Sequence, residues 1–243
     1  MYLILLQVIA IMALTKTGLF APASTAKPFV NGHYYYMDFV GNTYIQRSRT
    51  LQSNDPQIVF IADSMVDRIC VESIFRALNF SISGDTVHRV KERIKYYLHL
   101  EGKFVVLALG INDIPRPANE IIADYRSILD TLGPNTKIMV SSVLPVDSVP
   151  LQARFGVLKL NSQVRELNDG LEKLSSNYKN VYFEDTSEYL KGPDGALNPE
   201  LQIGDGLHLN DKGNALWIKA LKEAMIRVSQ KDPDVQALVK DLT

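Results

Sequence analysis

The sequence predicts an α/β fold: a five-stranded parallel sheet with helices on both faces. Two observations carry that prediction. Short apolar runs of strand length alternate five times with segments whose apolar residues recur at helical spacing. The loops that follow those runs hold the polar residues best suited to chemistry, and open parallel sheets build ligand sites beyond the carboxyl ends of their strands.

The elements are predicted in order. "QIVFIA" (57–62) is the first strand, followed by a helix over 66–78. "NFSIS" (79–83) is the second strand, and a helix over 86–100 carries Val87, Val90, Ile94 and Tyr97 on one face. "FVVLAL" (104–109) is the third strand, and after Pro117 a helix runs through Leu132. "KIMVSSV" (137–143) is the fourth, with a helix over 157–175 striped by Val164, Leu167, Leu171 and Leu174. "VYFED" (181–185) is the fifth, and a last helix spans about 213–228. The tail after Pro233 repeats apolar residues at Val235, Leu238, Val239 and Leu242 and is expected to dock as one or two amphipathic turns.

At 243 residues the chain suits one sizeable domain, and 46% hydrophobic with 22% charged residues is ordinary globular composition. A net charge of −1 gives no reason to expect a nucleic-acid partner. The basic run "HRVKERIKYY" interleaves with Val90, Ile94 and Tyr97, which reads as the solvated face of a helix. The single cysteine, Cys70, excludes an internal disulfide and is expected to be a buried packing thiol. No grouping of His, Asp and Glu has metal-ligand spacing, and no dinucleotide or nucleotide-phosphate loop is present, so no cofactor is expected.

The first residues differ from the rest. "YLILLQVIAIMAL" is an apolar stretch of signal-peptide length, shorter than the roughly 20 residues that span a bilayer. Ala21-Pro22-Ala23 offers a cleavage point, although no Lys or Arg precedes the stretch. Export is expected, with an uncleaved membrane anchor as the alternative. The organisation read from the chain is residues 1–23 as signal segment, 24–55 as an entry segment, 56–230 as the domain and 231–243 as tail.

Four strand-end loops hold Ser64, Gly84, Asn112 and the pair Asp205 and His208. Acyl transfer needs these types: a hydroxyl to attack, an imidazole to take its proton, a carboxylate to fix the imidazole, and donors for the developing oxyanion. Ser64 and Gly84 would supply backbone N–H groups, and Asn112 its side-chain amide. Each residue has a plainer reading by itself: Ser64 as a helix cap, Gly84 and Asn112 as turn residues, Asn210 or Asp211 as the cap of the last helix. Four such groups at four strand ends are hard to assign to capping alone. His88 is read as structural, and His99 as ending a helix.

These segments resemble the GDSL/SGNH family of serine esterases and lipases. "IVFIADSM" is similar to its first block, "NFSISGDT" to its second, "LALGINDI" to its third and "DGLHLN" to its fifth, in order between about Pro56 and Val228. The resemblance implies a three-layer flavodoxin-like fold and a cofactor-free site. Ser64 would be the nucleophile, Asp205 and His208 acid and base, and Ser64, Gly84 and Asn112 the oxyanion donors. "SSVLPV", "LNPEL" and "DGLHLNDKG" are most similar to the branch of platelet-activating-factor acetylhydrolase-like and sugar-ester-deacetylating enzymes. Three positions depart from the pattern: Ala62 for the glycine of G-D-S, Met65 for the usual leucine, and Ser81 at a spot often held by glycine.

The expected activity is hydrolysis of a small O-acyl ester, of a sugar or a lipid, through an acyl-enzyme. The alternatives are a lysophospholipase or lipase, transfer of the acyl group to a sugar hydroxyl, and a catalytically silent binding domain.

Overall fold

The computed structural model describes residues 28–52, 55–114, 116–155 and 160–240. The predicted signal segment and its cleavage point lie outside the described residues. Two compact units divide the chain, residues 1–43 and 44–243. Residues Pro28–Arg49 form a helix, α1, within what the sequence offered only as a polar, aromatic entry segment. No helix among the described residues is long and apolar enough to cross a membrane.

The second unit is the predicted α/β layer structure. β1 (Ile58–Ala62), β2 (Ala77–Asn79), β3 (Phe104–Ala108), β4 (Lys137–Ser141) and β5 (Val181–Glu184) pair in parallel, in the order β2-β1-β3-β4-β5. Alternation along each strand splits the core in two. Val59, Ile61, Val105, Leu107, Ile138 and Val140 face α4 (Val87–Ile94), α5 (Ala118–Leu132) and α7 (Leu160–Ser175). Ile58, Phe60, Ala62, Phe104, Val106 and Met139 face the other way, onto α8 (Asp211–Lys231) and α9 (Pro233–Val239). Burial of each such large apolar side chain stabilises by about 1.5–3 kcal/mol, which is why period-two strands and 3.6-residue stripes settle on each other.

Four expectations need correction. The helix over 66–78 is instead two short helices, α2 (Ser64–Asp67) and α3 (Val71–Ile74), and the chain becomes β2 at Ala77. Pairing decides this: Ala77, Leu78 and Asn79 lie beside Ile58, Val59 and Phe60, and the N–H groups of Phe80 and Ile82 continue the ladder to the carbonyls of Phe60 and Ala62. Cys70 consequently sits at the break, exposed, with its Sγ 3.3 Å from Ser73 Oγ. The helix over 86–100 stops at Ile94; Tyr97 and Leu100 stay in the core from the turn that follows, and His99 adopts φ +59 there rather than ending a helix. Part of the predicted loop after β4 is helical, α6 (Ser148–Phe155), and the next helix begins at Leu160, just after residues that are not described.

The tail docks as expected over Pro233–Val239, while Leu242 lies outside the described residues. Val235 and Val239 are buried, and the α9 cap Asp232 accepts Lys137 Nζ at 2.6 Å and the Tyr182 hydroxyl at 2.6 Å.

Candidate active site

β1 delivers Ser64. Asp63 follows the strand and caps α2, its side chain accepting the Met65 N–H at 3.0 Å. Ser64 is therefore the first residue of α2 rather than its cap. Ala62 is the last residue of β1, paired with Ala108, so this departure from the glycine pattern falls in extended backbone open to any residue.

The loop between β5 and α8 delivers Asp205 and His208. The Ile203 N–H bonds the His208 carbonyl at 3.0 Å, and the Asp147 N–H bonds the Gly206 carbonyl at 2.8 Å. Gly206 has φ +81, and a Cβ there would stand 2.5 Å from the Asp147 carbonyl oxygen, so the close approach requires glycine. Asn210 caps α8 by accepting the Gly213 N–H at 3.0 Å, which fixes the chain two residues after His208. Capping and chemistry thus coexist in "HLND".

The structure brings the three predicted side chains into one line. Ser64 Oγ lies 3.0 Å from His208 Nε2, and His208 Nδ1 lies 2.6 Å from Asp205 Oδ2. The other carboxylate oxygen, Oδ1, accepts the backbone N–H of His208 at 2.9 Å and of Leu207 at 3.0 Å. A proton on Nδ1 donated to the carboxylate leaves Nε2 as an acceptor for the serine hydroxyl. Burial alone would raise the Asp205 carboxyl, but the hydrogen bonds from His208 and Leu207 outweigh it and hold the group below the usual carboxylate range.

Gly84 and Asn112, the expected oxyanion donors, lie in the loops after β2 and β3. The Ile82 N–H bonds the Ala62 carbonyl at 3.0 Å, which holds the chain beside the end of β1 two residues before Gly84. Gly84 has φ +78 in a turn closed by the Asp85 N–H on the Ile82 carbonyl at 3.0 Å. Asn112 lies in the single 3₁₀ turn after β3, and its Nδ2 donates to the Asp85 carbonyl at 2.9 Å. One N–H of the amide is thereby fixed, which orients the other.

Three acids lie behind these loops. Asp85 pairs with Arg93 through both carboxylate oxygens, and Asp113 accepts Arg116 Nη1 at 2.8 Å and the Val87 N–H at 2.8 Å. Asp63 is also buried, and burial pushes its carboxyl up to about 7, with the charges of Asp85 and Asp113 adding to the rise. The folded-state value exceeds the ordinary 3.8, so the stability this group contributes is full below about pH 4 and is lost as pH rises through about 7. Asp63→Asn keeps a capping oxygen and removes the titration. Urea unfolding should therefore show the variant gaining on the parent between pH 4.5 and 8, by on the order of 3 kcal/mol if the full shift applies. A constant difference across that range contradicts the assignment.

A mostly apolar recess of about 20 Å³ is bordered by Asp63, Met65 and Leu207, the chain neighbours of Ser64 and His208, together with Ser142, Leu144 and Trp217; none of Ser64, Gly84, Asn112, Asp205 and His208 lines it. Two larger cavities, about 750 and 730 Å³, are lined by none of Ser64, Gly84, Asn112, Asp205 and His208. His88 lies with Nδ1 3.3 Å from Asp124, whose carboxylate also takes Lys91 and Arg116, in keeping with a structural role. Among the described residues no group of three or more His, Cys, Asp and Glu could hold a metal.

Sequence reading missed Arg93 and the role of Asp85. Arg93 follows Val90 by three positions and precedes Tyr97 by four, which places it beside the buried stripe. That spacing was the available signal within the basic run.

Comparison with known proteins gives a consistent result. The model of the GDSL-like lipase/acylhydrolase family matches residues 45–216. The platelet-activating factor acetylhydrolase IB subunit alpha2 of Homo sapiens is 29% identical over 195 residues, covering 75% of this chain and 82% of that protein. A Streptococcus pneumonia structure named for platelet activating factor is 25% identical, with a TM-score of 0.72, covering 80% of this chain and 95% of that one. A catalytic mutant of an acetylxylan esterase from Geobacillus stearothermophilus shares the fold, with a TM-score of 0.55 and 17% identity over 72% of this chain and 95% of that one.

Proposed function

Because the chain belongs to the GDSL-like lipase/acylhydrolase family and is an ester hydrolase, we propose that it removes a short acyl group, acetyl in the first instance, from an oxygen ester. The observation that carries the chemistry is the line from Ser64 Oγ through His208 to Asp205, at 3.0 and 2.6 Å. Ser64 Oγ attacks the carbonyl carbon while His208 Nε2 takes the hydroxyl proton. Gly84, Asn112 and the Ser64 N–H stabilise the oxyanion of the tetrahedral intermediate. The C–O bond to the alcohol breaks, and His208 returns the proton to the departing oxygen. Water then attacks the acyl-enzyme with His208 again as base, releasing the carboxylic acid and restoring Ser64.

The acyl preference is supported by the small size of the recess that the chain neighbours of Ser64 and His208 border, and by the composition of the surrounding loops. Met65, Leu207 and Trp217 bound a space of about 20 Å³, and the loop over 185–206 mixes Pro, Gly and charged residues with isolated leucines. A groove for a long chain gains about 0.8 kcal/mol for each buried methylene, so an enzyme that has one rises steeply in kcat/KM with chain length. The expected result is the reverse. Across p-nitrophenyl esters of two to twelve carbons, kcat/KM is highest for acetyl or butyryl and has fallen by eight carbons. A maximum at eight or more would make the protein a lipase or lysophospholipase.

A further inference from the structure

We propose that Arg93 is a positioning residue for the oxyanion donors, acting through Asp85; the proposal rests on the reading of Gly84 and Asn112 as those donors. Asp85 is the point where three constraints meet. Its side chain is fully buried and gripped at both oxygens by the Arg93 guanidinium, with Nη1 3.1 Å from Oδ1. Its backbone carbonyl accepts Asn112 Nδ2 at 2.9 Å, and its backbone N–H closes the turn that holds Gly84. One residue therefore fixes both donors, and the guanidinium fixes that residue.

Arg93 is itself held. It projects from α4 into the interior, where its Nε donates to the Tyr97 hydroxyl at 3.0 Å. Tyr97 packs edge-on against Phe80, with ring centroids 5.5 Å apart, and Phe80 stacks on Tyr44 at 5.0 Å. A second tie runs alongside: Asp113 accepts the Val87 N–H and Arg116, joining the start of α4 to the turn that carries Asn112. The donors thus stand on a planar fork backed by an aromatic stack. Lysine cannot reproduce a two-point grip on a carboxylate, since its ammonium is a point charge. Misplacing a donor by about 1 Å is enough to cost roughly 10²-fold in rate.

The test is a double-mutant cycle with Arg93→Lys and Asn112→Ala, with kcat counted per Ser64 reactive toward a fluorophosphonate so that misfolded protein does not enter. Asn112→Ala alone should lower kcat by about 10²–10³-fold, because its N–H acts mainly in the transition state. Arg93→Lys should lower kcat by roughly 10–10²-fold and leave KM within about twofold. Since Arg93→Lys disturbs two donors of which Asn112→Ala removes one, the double variant should lose clearly less than the product of the single losses. Asp85→Asn, which keeps the side-chain shape and the backbone carbonyl, should repeat the Arg93→Lys pattern and serves if the lysine variant is insoluble.

The two failures are distinguishable. An unchanged kcat in Asn112→Ala defeats the donor reading itself. A large Asn112→Ala loss combined with an unaffected Arg93→Lys, a KM effect only, or losses that multiply fully leaves that reading standing and overturns the role of Arg93.

Discussion

Ser64→Ala is expected to lower kcat by roughly 10⁶-fold and to abolish labelling by a fluorophosphonate. The hydroxyl supplies the electron pair that opens the ester carbonyl, and no other group on this line can replace it. The magnitude follows from the interdependence of the parts: with the nucleophile gone, the His208 base and Asp205 have no proton to move, and only binding and oxyanion stabilisation remain. Mass spectrometry of the labelled parent protein should find the adduct on Ser64 alone. Ser142 is the informative competitor, being a buried serine that also follows a strand of the same sheet. Its Oγ donates to Asp185 at 3.0 Å and accepts the Thr186 N–H at 3.1 Å, so it is occupied and has no imidazole partner. An adduct on Ser142, or residual turnover within about tenfold of the parent, would overturn the nucleophile assignment.

Asp205→Asn is expected to cost roughly 10²–10⁴-fold in kcat with the fold retained. The amide oxygen can still accept the N–H groups of Leu207 and His208, which the carboxylate receives at 3.0 and 2.9 Å, so the loop should hold its shape. The amide NH₂ then faces His208 Nδ1, where the carboxylate now stands at 2.6 Å. A donor in that place demands an acceptor on Nδ1 and drives the ring proton to Nε2, which can no longer take the hydroxyl proton of Ser64. The imidazolium formed during attack also loses its counter-charge. Steady-state rates beside a circular-dichroism melt check both halves. Turnover equal to the parent would mean that another group orients His208.

The sheet was legible where a segment's own residues decide its structure. "IVFIA", "FVVLA" and "KIMVS" are buried runs, and the stripes over Ala118–Leu132 and Leu160–Ser175 match the helical repeat they form. Reading failed where a partner decides. Residues 77–79 continue an apolar helical pattern, yet parallel pairing with Ile58–Phe60 gives them a hydrogen-bond ladder that a longer helix could not match. Cys70 followed that error to the surface. Tyr97 and Leu100 kept the spacing of a helix that had already ended, because core residues need only reach the core.

The site was more legible than the elements around it. Ser64, Asp205 and His208 announce themselves by type and by place, and the structure gathers them at hydrogen-bond distance. Arg93 does not, since its partner Asp85 lies eight positions away and outside its helix. A pair of opposite charges at that distance in sequence is ordinary until burial shows that both have left water.

Ser64 and its base are 144 positions apart, and the order of synthesis turns that distance into time. A ribosome adding about 5–20 residues per second leaves roughly 7–30 s between the two residues. Throughout that interval the nascent chain carries the Ser64 hydroxyl but lacks the imidazole that stands beside it in the finished chain. A chain halted near Leu201 would have all five strand sequences but neither His208 nor the helices α8 and α9 that cover one face of the sheet. The proposed site is therefore complete only once Asp205 and His208 have folded back beside Ser64, which keeps an unfinished chain chemically silent.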